Sequence, residues 1–256
     1  MVIVKVGCCG FPVSMGEYVQ AFSLTETQKT FYKPLRIETL ERWRNMAPRG
    51  FEFTVKAWQA ITHSSKSPTW RKAKLRIPNP EEYGLLRPTK ENLNAWDLVR
   101  EMCDALKARV CVIQTPPSFT PSEENVENMK RFLSLIDRGS LNLAWEPRGE
   151  WNSRPELIRE LCRGLRLIHV VDLLRRSPVF HSSTAYIRLH GLGGREVNYS
   201  YKYRDEDLSL LLSKVKELTE KGVRECYILF NNRYMMEDAL RLKRLLSKRR
   251  DLFQIP

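Results

Sequence analysis

The stretch AYIRLHG, from Ala185 to Gly191, alternates between apolar and polar residues as a β-strand does. Its apolar side is formed by Ile187 and Leu189, and its other side by Tyr186, Arg188 and His190. An apolar strand seldom carries an arginine and a histidine on one face without a use for them. The pattern therefore indicates either an edge strand that shows polar groups to water or a buried strand that delivers cations to a site.

Apolar stretches of strand length recur along the chain and are separated by amphipathic helical patterns. The predicted strands are Val2 to Gly7, about Gln20 to Gln28, Phe51 to Ala57, Arg109 to Thr115, Leu141 to Arg148, Leu167 to Asp172, Ala185 to Gly191, and Glu225 to Asn232. The predicted helices are Ile37 to Met46, Glu91 to Leu106, Ser122 to Asp137, Arg154 to Arg163, Asp205 to Lys221, and Glu237 to Lys248. Acidic first turns and Pro155 support the helix starts, and Gly222 suits a helix C-terminus.

Eight strands that alternate with helices predict a parallel sheet covered by helices. A (β/α)8 barrel of the TIM type and a doubly wound sheet both satisfy this order. The length of 256 residues and the count of eight strands favour the barrel. No G-x-G-x-x-G sequence follows the first strand, and no repeat or linker divides the chain. We therefore predict a single-domain α/β protein, a (β/α)8 TIM-type barrel over residues 1–256.

Polar side chains gather near the C-terminal ends of the predicted strands, whereas the N-terminal halves are largely apolar. These polar residues are Glu26, Gln28, Thr54, Lys56, Gln114, Glu146, Arg148, Asp172, Arg188, His190, Asn231 and Asn232. A barrel builds its active site at this end, because the loops that follow the strands meet there. The alternative is an interior filled with paired charges, such as Arg188 with Glu146.

The chain carries 43 lysines and arginines against 30 aspartates and glutamates, a formal charge of +13. Such an excess favours anionic partners such as nucleic acid or phosphorylated metabolites, although a solvated basic surface would give the same number. No apolar run of about 18 residues occurs, so we expect no membrane span. The N-terminus lacks the features of a secretory signal, and we therefore expect a cytoplasmic protein.

Six cysteines are scattered along the chain without any C-x-x-C spacing: Cys8, Cys9, Cys103, Cys111, Cys162 and Cys226. We predict that they are small buried apolar side chains. The spacing does not suit a zinc site, and disulfide bonds are not expected in a cytosol outside hyperthermophiles.

The segment from Thr62 to Pro88, after the third predicted strand, is too long for an ordinary loop between a strand and a helix. From Ser64 to Pro80 it has no acidic residue. It carries Lys66, Trp70, Arg71, Lys72, Lys74 and Arg76. Cations around an aromatic residue are able to grip a phosphate backbone and stack on a base, so these six residues form a candidate nucleic-acid site. A solvated basic loop is the alternative.

Seven segments stand in the chain in the order GCCGF, TETQKTFYKP, FTVKAWQAITH, QTPPSF, WEPRGEW, YIRLHG and LFNN. Together they resemble the YecE-like family of domains of unknown function, over a span from Gly7 to about Leu246. The resemblance implies a (β/α)8 barrel but no reaction, because the family has no established activity. A likeness of this architecture to barrel endonucleases and sugar isomerases is an analogy at the level of fold.

The resemblance carries over the residues Glu26, Phe31, Tyr32, Lys56, Thr62, His63, Gln114, Glu146, Arg148, Trp151, Arg188, His190, Gly191, Asn231 and Asn232. The candidate catalytic residues are His190, Glu146, Glu26 and His63. The candidate substrate-binding residues are Arg188, Arg148, Lys56, Gln114, Asn231, Asn232, Tyr32 and Trp151. Arginine suits a phosphate or a carboxylate, amides orient a substrate, and aromatic rings wall a pocket. A buried, neutral imidazole bonded to a carboxylate is the alternative for His190.

The sequence does not indicate a metal, because it has four histidines and neither an H-x-x-x-H nor an H-x-E signature. One divalent ion held by Glu26, Glu146 and Asp172 stays open. The identity of any cofactor and the oligomeric state are left open as well.

Three functions are compatible with these patterns. The first is an enzyme that acts on an anionic, phosphate-bearing substrate, such as a nucleic acid or nucleotide, at the C-terminal mouth of the barrel. The second is a non-catalytic nucleic-acid-binding protein, which would use the basic loop and a helical side formed by Arg241, Arg244 and Lys248. The third is a metal-assisted isomerase or lyase that acts on a small molecule.

Overall fold

A computed structural model describes residues 1–194 and 196–256 of the chain and places nine strands in them. The strands are β1 (Val2–Cys9), β2 (Leu24–Thr27), β3 (Glu52–Lys56), β4 (Val110–Gln114), β5 (Asn142–Glu146), β6 (Leu167–Val171), β7 (Thr184–Leu189), β8 (Glu225–Phe230) and β9 (Phe253–Gln254). Eight of them, β1 to β8, lie within predicted strands or extend these by at most two residues, and β9 was not predicted.

The α-helices of the described residues are α1 (Met15–Ala21), α2 (Lys29–Tyr32), α3 (Ile37–Met46), α4 (Gln59–Thr62), α5 (Thr69–Ala73), α6 (Lys90–Leu106), α7 (Glu123–Leu135), α8 (Pro155–Gly164), α9 (Asp205–Glu220) and α10 (Met235–Ser247). Two short 3-10 helices cover Pro80–Glu82 and Gly149–Ser153. Within the part of the chain described, no helix combines the length and the apolar character that crossing a membrane requires.

Neighbouring strands follow the order β2-β3-β4-β5-β6-β7-β8-β1-β9, and β1 also pairs with β2. The strands β1 to β8 therefore form a closed sheet, and the registers within it are parallel. This arrangement of parallel strands alternating with helices confirms the predicted (β/α)8 barrel. It also answers the question that the seventh strand raises, because β7 has a partner on each side and no free edge.

The chain divides into two compact units, each assembled from separate stretches of sequence. Unit 1 contains Met1–Glu26, Ala47–Glu52 and Ile168–Pro256. Unit 2 contains Thr27–Met46 and Phe53–Leu167. The organisation of residues 1–256 as a single domain stays a prediction.

Unit 1 is held together by two long strand pairings. The strand β8 pairs with β1 from Ile3 to Cys8 on one side and with the whole of β7 on the other. The helix α10 packs on β1 and β8 through its apolar side, where Leu242 and Leu246 are fully buried. Burial on both faces explains why Tyr227 to Phe230 reads as an uninterrupted apolar run.

Unit 2 places the C-terminal ends of three neighbouring strands next to one another. Gln114, the last residue of β4, lies opposite Glu146, the last residue of β5. Lys56, the last residue of β3, lies opposite Val112 of β4. The helix α6 packs on α3 and α4, and Val99 is fully buried in it. The polar residues at these strand ends are thereby placed side by side.

All six predicted helices are present, with ends within two residues of the predicted ones. The helix from Ile37 to Met46 has both predicted ends. Pro155 is the first residue of α8, where its missing amide hydrogen removes no hydrogen bond. Gly222 follows α9 with a φ of +92°, a conformation that favours glycine.

The second predicted strand, about Gln20 to Gln28, is wrong in its first part. Gln20 and Ala21 end the helix α1, and β2 begins at Leu24. The helix is capped by Ser14, whose hydroxyl accepts a hydrogen bond from the backbone nitrogen of Glu17 at 3.3 Å. Only Phe22 and Ser23 separate the helix from β2, so the two elements resemble one strand in the sequence.

The six cysteines are buried, as predicted. Burial raises the pKa of the Cys8, Cys162 and Cys226 thiols to about 12. These thiols therefore remain protonated at neutral pH and behave as apolar side chains.

Candidate functional site

The C-terminal ends of β3, β4 and β5 carry a group of polar side chains in unit 2. Nζ of Lys56 donates a hydrogen bond to Oε1 of Gln114 at 2.8 Å and lies 3.9 Å from the centre of the Phe31 ring. Lys56 is 7% exposed, so its charge is largely removed from water. The aromatic face and the amide oxygen both favour the ammonium group in this position.

Arg148 and Glu146 form an ion pair at the end of β5. Nε and Nη2 of Arg148 donate hydrogen bonds to Oε1 of Glu146 at 3.2 and 2.8 Å. The arginine side chain is 15% exposed and the glutamate side chain 8%. The guanidinium group is therefore charged and fixed in direction while it still reaches the surface of the unit.

His63 lies beside these cations and is buried. Its Nδ1 is 2.8 Å from Oγ1 of Thr62, and its ring packs edge-on against Phe31 at 5.1 Å. Burial, together with the positive charges of Lys56 and Arg148, lowers the pKa of His63 to about 3. The imidazole is therefore neutral at any physiological pH.

We call Lys56, His63, Gln114, Glu146 and Arg148 the strand-end cluster. Among its members, two cations stand against one carboxylate, and the histidine adds no charge. The cluster therefore has a net positive charge and polar groups that are held in place by neighbouring side chains. Such an arrangement is suited to an anion that displaces water from the cations.

Tyr32 and Trp151, both predicted to contact a substrate, have different surroundings in unit 2. Tyr32 is half-buried at the end of α2, and its ring packs edge-on against Phe31 at 5.2 Å. Trp151 is fully buried and donates a hydrogen bond from Nε1 to the carbonyl oxygen of Phe119 at 2.5 Å. Its ring stacks on Phe119 and meets Trp145 edge-on, so it packs in the interior of the unit.

Unit 1 contains a fully buried ion pair between Arg188 and Glu26. Nε of Arg188 donates to Oε2 of Glu26 at 3.0 Å, and Nη2 donates to Oε1 at 2.8 Å. Both side chains have no exposure to solvent. The hydroxyl of Tyr186 donates to the same carboxylate at 2.9 Å, which confirms that Tyr186 and Arg188 share one face of β7.

Further polar groups continue this interior arrangement towards the start of the strands. The Tyr186 ring stacks on Tyr227 at 5.5 Å, and the Tyr227 hydroxyl donates to Glu52 at 2.5 Å. Lys5 forms ion pairs with Glu52 and Glu225. The interior of unit 1 therefore holds paired charges, as the alternative interpretation of the sequence proposed, although the partner of Arg188 there is Glu26.

His190 and Gly191 follow β7 and are fixed by hydrogen bonds on both sides of the chain. The backbone nitrogen of His190 donates to Oδ2 of Asp172 at 3.1 Å, and that of Gly191 donates to the Tyr203 hydroxyl at 2.7 Å. Arg175 donates to the carbonyl oxygen of Gly191 through Nε at 3.2 Å. Gly191 has a φ of +83°, which favours glycine.

The ring of His190 is 3% exposed and is oriented by an amide. Nδ2 of Asn231 lies 3.1 Å from Nδ1 of His190. With the amide nitrogen donating, Nδ1 is the acceptor and the proton of the neutral ring lies on Nε2. The ring is thus held in one tautomer and one orientation, as a residue that transfers a proton requires.

Asp172 carries the hydrogen bonds that position His190 and has an altered acidity. Burial raises its pKa to about 6, while the backbone amides of His190 and Leu174 and the charge of Arg175 act in the opposite direction. Leu174 donates to Oδ1 of Asp172 at 3.2 Å. Asp172 is therefore a carboxylate whose charge changes close to neutral pH.

Asn231 and Asn232 are adjacent in sequence but serve different contacts. Asn231 holds the His190 ring, as described above. Asn232 donates from Nδ2 to the carbonyl oxygen of Tyr201 and to Oδ2 of Asp238, both at 2.7 Å. Asn232 therefore ties the start of α10 to the segment before α9 inside unit 1.

The basic segment, residues 64–80, contains the short helix α5 and lies in unit 2. Its five cations are exposed: Lys66, Arg71, Lys72, Lys74 and Arg76. Trp70 is half-buried and donates from Nε1 to the carbonyl oxygen of Ser64 at 3.1 Å. On α10, Arg244 and Lys248 are exposed, whereas Arg241 pairs with Asp205 and Asp238.

The three carboxylates considered for a metal have other partners. Glu26 binds Arg188, Glu146 binds Arg148, and Asp172 accepts backbone hydrogen bonds. Across residues 1–194 and 196–256, no group of three or more His, Cys, Asp or Glu side chains is arranged to hold a metal ion.

Three residues with a part in these sites were not singled out from the sequence: Arg175, Tyr203 and Asp238. Arg175 and Tyr203 lie in irregular segments, so no periodic pattern marks the side that their side chains take. Asp238 is on the first turn of α10, where an acidic residue is ordinary. The spacing of Tyr199, Tyr201 and Tyr203, each two residues from the next, is a signal that could have marked this part of the chain.

The model of a family described as a protein of unknown function, DUF72, matches residues 12–254 of the chain. The chain is also similar to the UPF0759 protein YunF of Bacillus subtilis. The two are 24% identical over 242 residues, which cover 84% of this chain and 79% of YunF.

Solved structures with the same fold include two DUF72 family proteins. The protein from Enterococcus faecalis has a TM-score of 0.71 and 18% identity, covering 96% of this chain and 98% of that one. The protein from Thermotoga maritima has a TM-score of 0.69 and 24% identity, covering 96% and 99%. At these identities the likeness shows the fold.

The Arg188–Glu26 pair predicts a large loss of stability when one partner is neutralised. Glu26→Gln leaves a buried guanidinium without its counter-charge, and we expect the free energy of unfolding in urea to fall by about 3–5 kcal/mol. Glu156→Gln, at an exposed pair with Arg159, is the control and should cost less than about 1 kcal/mol. Equal effects of the two variants would contradict the structural role of the buried pair.

The raised pKa of Asp172 predicts that Asp172→Asn increases the free energy of unfolding by an amount that depends on pH. The folded chain binds the proton more tightly than the unfolded chain, so the free energy of unfolding falls as pH rises from about 4 to about 6. Asparagine has no such charge, and the variant should gain up to about 3 kcal/mol relative to the wild type across this range. Urea unfolding at several pH values measures the difference, with exposed Asp97→Asn as the control. A difference that does not change with pH would contradict the assignment.

Proposed function

The chain belongs to the DUF72 family of proteins of unknown function, and we propose that it is an enzyme acting on an anionic, phosphate-bearing substrate. The YecE-like family that its segments resemble is the same family under another name. The proposal assigns substrate binding to the strand-end cluster of unit 2. The C-terminal ends of barrel strands are where enzymes of this fold bind their substrates.

The observation that carries the proposal is the pair of cations beside one buried, neutral imidazole. Lys56 and Arg148 both act on the pKa of His63, so both charges lie within electrostatic reach of the same ring. A lysine supplies a compact charge and an arginine supplies two directed N–H groups, and together they match a phosphate group. A phosphate that binds there would offset the repulsion between the two cations.

His63 has a defined part in this assignment. With a pKa of about 3, it does not take up a proton at neutral pH, so we assign it a hydrogen-bonding role rather than the role of a general base. A neutral imidazole donates one hydrogen bond and accepts another without adding charge. Gln114, which is half-buried beside Lys56, is assigned to orient the substrate.

We assign proton transfer to His190 of unit 1. Asn231 fixes its tautomer, and Asp172 and Tyr203 fix the backbone that carries it. This degree of fixation exceeds what a packing residue needs, and it is what a proton donor or acceptor requires. The assignment of His190 and that of the strand-end cluster are separate proposals, each tested on its own residues.

Glu26 and Arg188 receive a positioning role in this proposal. Both are without solvent exposure and satisfy each other through two hydrogen bonds. A substrate would have to break this pair to reach either group. We therefore assign them to the support of β7 and its continuation, His190.

Binding of inorganic phosphate tests the strand-end cluster. Lys56→Met keeps the apolar contact with Phe31 and removes the charge, and we expect phosphate binding measured by calorimetry to weaken by about tenfold or more. Lys29→Met is the matched control, because Lys29 also lies over an aromatic ring, that of Trp43, in the same unit but is exposed. Equal binding by the wild type and Lys56→Met would overturn the proposed site.

Turnover of phosphate esters tests the enzymatic part of the proposal. Against a panel of phosphomonoesters, phosphodiesters and nucleotides, we expect wild-type activity on at least one compound. His190→Gln should lower that rate by about 100-fold or more, because glutamine does not transfer protons. His181→Gln, at a half-buried histidine of the same unit, is the control. If the wild type binds phosphate but turns over no ester, or if His190→Gln is as active as the wild type, the assignment of catalysis fails.

A further inference from the structure

The basic segment carries charges that the described chain leaves without a counter-charge. Its five cations are Lys66, Arg71, Lys72, Lys74 and Arg76, and all are exposed. None of their charged side-chain groups has a hydrogen-bond or ion-pair partner among the described residues. Five unpaired cations within eleven residues repel one another, and an anionic ligand would relieve this repulsion.

An aromatic side chain stands among these cations in a fixed position. Trp70 is half-buried, so one part of its ring is accessible, and its Nε1 is bonded to Ser64. The Trp70 ring meets Trp58 edge-on at 6.3 Å, and Trp58 lies 6.2 Å from the ring of Tyr83. The contacts with Trp58 and Ser64 therefore hold the Trp70 ring in place, so ligand binding does not cost the entropy of ordering it.

At the start of α4, where Trp58 meets Trp70, two polar atoms are buried without a hydrogen-bond partner. They are Nε1 of Trp58, a donor, and Oε1 of Gln59, an acceptor. The two residues are 5% and 0% exposed. A buried polar group without a partner is unfavourable, and such groups concentrate where a water or a ligand completes the structure.

The backbone of the same region adopts conformations that cost free energy. In the described residues, six non-glycine residues have a positive φ. Two of them, Lys74 and Asn79, lie in the basic segment, and Leu85 and Leu86 follow it closely. Each is in the left-handed region, which is unfavourable for a residue with a β-carbon. Strain of this kind persists where the surrounding contacts impose it, and it concentrates at binding sites.

We propose that the basic segment binds a single-stranded nucleic acid, which makes the phosphate-bearing substrate a nucleic-acid strand. The five cations contact the phosphates, and Trp70 stacks on an unpaired base. This inference rests on the proposed function and names its substrate class. The nucleic-acid strand binds to the basic segment, and the anion site at Lys56 and Arg148 is a separate assignment.

A single strand fits the segment better than other polyanions. A duplex keeps its bases stacked on each other, so it offers phosphates to the cations but no ring to Trp70. An acidic peptide likewise supplies charge without a flat ring. The five-residue helix α5 is too short to present the apolar face with which helices bind membrane surfaces.

The salt dependence of binding is the first measurement that tests the inference. An oligothymidine of about ten nucleotides with a fluorescent label is titrated with the 256-residue chain, and anisotropy is followed over a range of salt concentrations. Each cation that contacts a phosphate contributes about −0.7 to the slope of log K against log salt, so five give up to about −3.5. A slope close to zero, or no binding at low salt, would overturn the inference.

Variants separate the basic segment from other exposed cations. Lys72→Gln combined with Lys74→Gln should make the slope less steep by about 1.4. Arg244→Gln combined with Lys248→Gln, two exposed cations on α10, is the matched control and should leave the slope unchanged. A slope that responds to the α10 pair and not to Lys72 and Lys74 would place the strand elsewhere and overturn the assignment.

The stacking contact is tested by Trp70→Leu, which keeps an apolar side chain against Trp58. We expect about tenfold weaker binding with an unchanged salt slope, since the charges are the same. Equal affinity of the wild type and Trp70→Leu would overturn stacking. If a duplex of the same length, a polyglutamate peptide or anionic vesicles bind with equal affinity, the basic segment attracts any polyanion. That result would overturn the assignment of a single-stranded nucleic acid as the ligand.

The outcomes also distinguish this inference from the proposed function. If Lys56→Met abolishes phosphate binding while oligothymidine does not bind, the anion site stands and the nucleic-acid assignment fails. If oligothymidine binds with the expected slope while Lys56→Met has no effect on phosphate, the strand assignment stands and the anion site at Lys56 fails.

Discussion

The bond between Arg188 and Glu26 is the interaction on which the interior of unit 1 depends. A guanidinium without solvent contact is tolerated only with a carboxylate that takes up its hydrogen bonds, and Glu26 does so through both oxygens. The same carboxylate accepts the Tyr186 hydroxyl, whose ring rests on Tyr227. His190 follows Arg188 by two residues and comes directly after the end of β7, so the position of β7 that the ion pair fixes also fixes the start of the segment that carries His190. The position of the histidine is thus a consequence of charge burial deeper in the unit.

The cations of this basic chain fall into two groups with different physical roles. Those inside, such as Lys5, Lys56 and Arg188, are bonded to carboxylates, amides or aromatic rings, because a charge removed from water needs a partner. Those of the basic segment are solvated and have no protein partner in the described chain. The formal charge of +13 therefore overstates what is available to a ligand, and the location of a cation matters more than the total.

The sequence predicted the barrel, the six long helices and the side of β7 on which Tyr186 and Arg188 lie, because periodicity and length are local properties. It did not predict which carboxylate meets Arg188, since Glu26 and Glu146 both lie near the C-terminal ends of strands and only the three-dimensional register separates them. The sequence also did not predict that His63 is neutral, because a pKa depends on burial and on charges that are distant in sequence. The strand predicted from Gln20 failed because only Phe22 and Ser23 separate the end of α1 from the start of β2, so the local pattern does not mark where the helix stops.

Gly191 has no room for a side chain, and this has a consequence for related proteins that carry another residue at the same position. A β-carbon there would lie 2.0 Å from the carbonyl oxygen of Asn198 and 2.8 Å from the side chain of Tyr201. Any residue other than glycine would push away the segment that carries Tyr203, and with it the hydroxyl that holds the Gly191 amide. The residue at this position therefore separates related chains into two groups. Chains with glycine here are able to form the same segment from Gly191 to Tyr203, and chains with another residue must have a different backbone there.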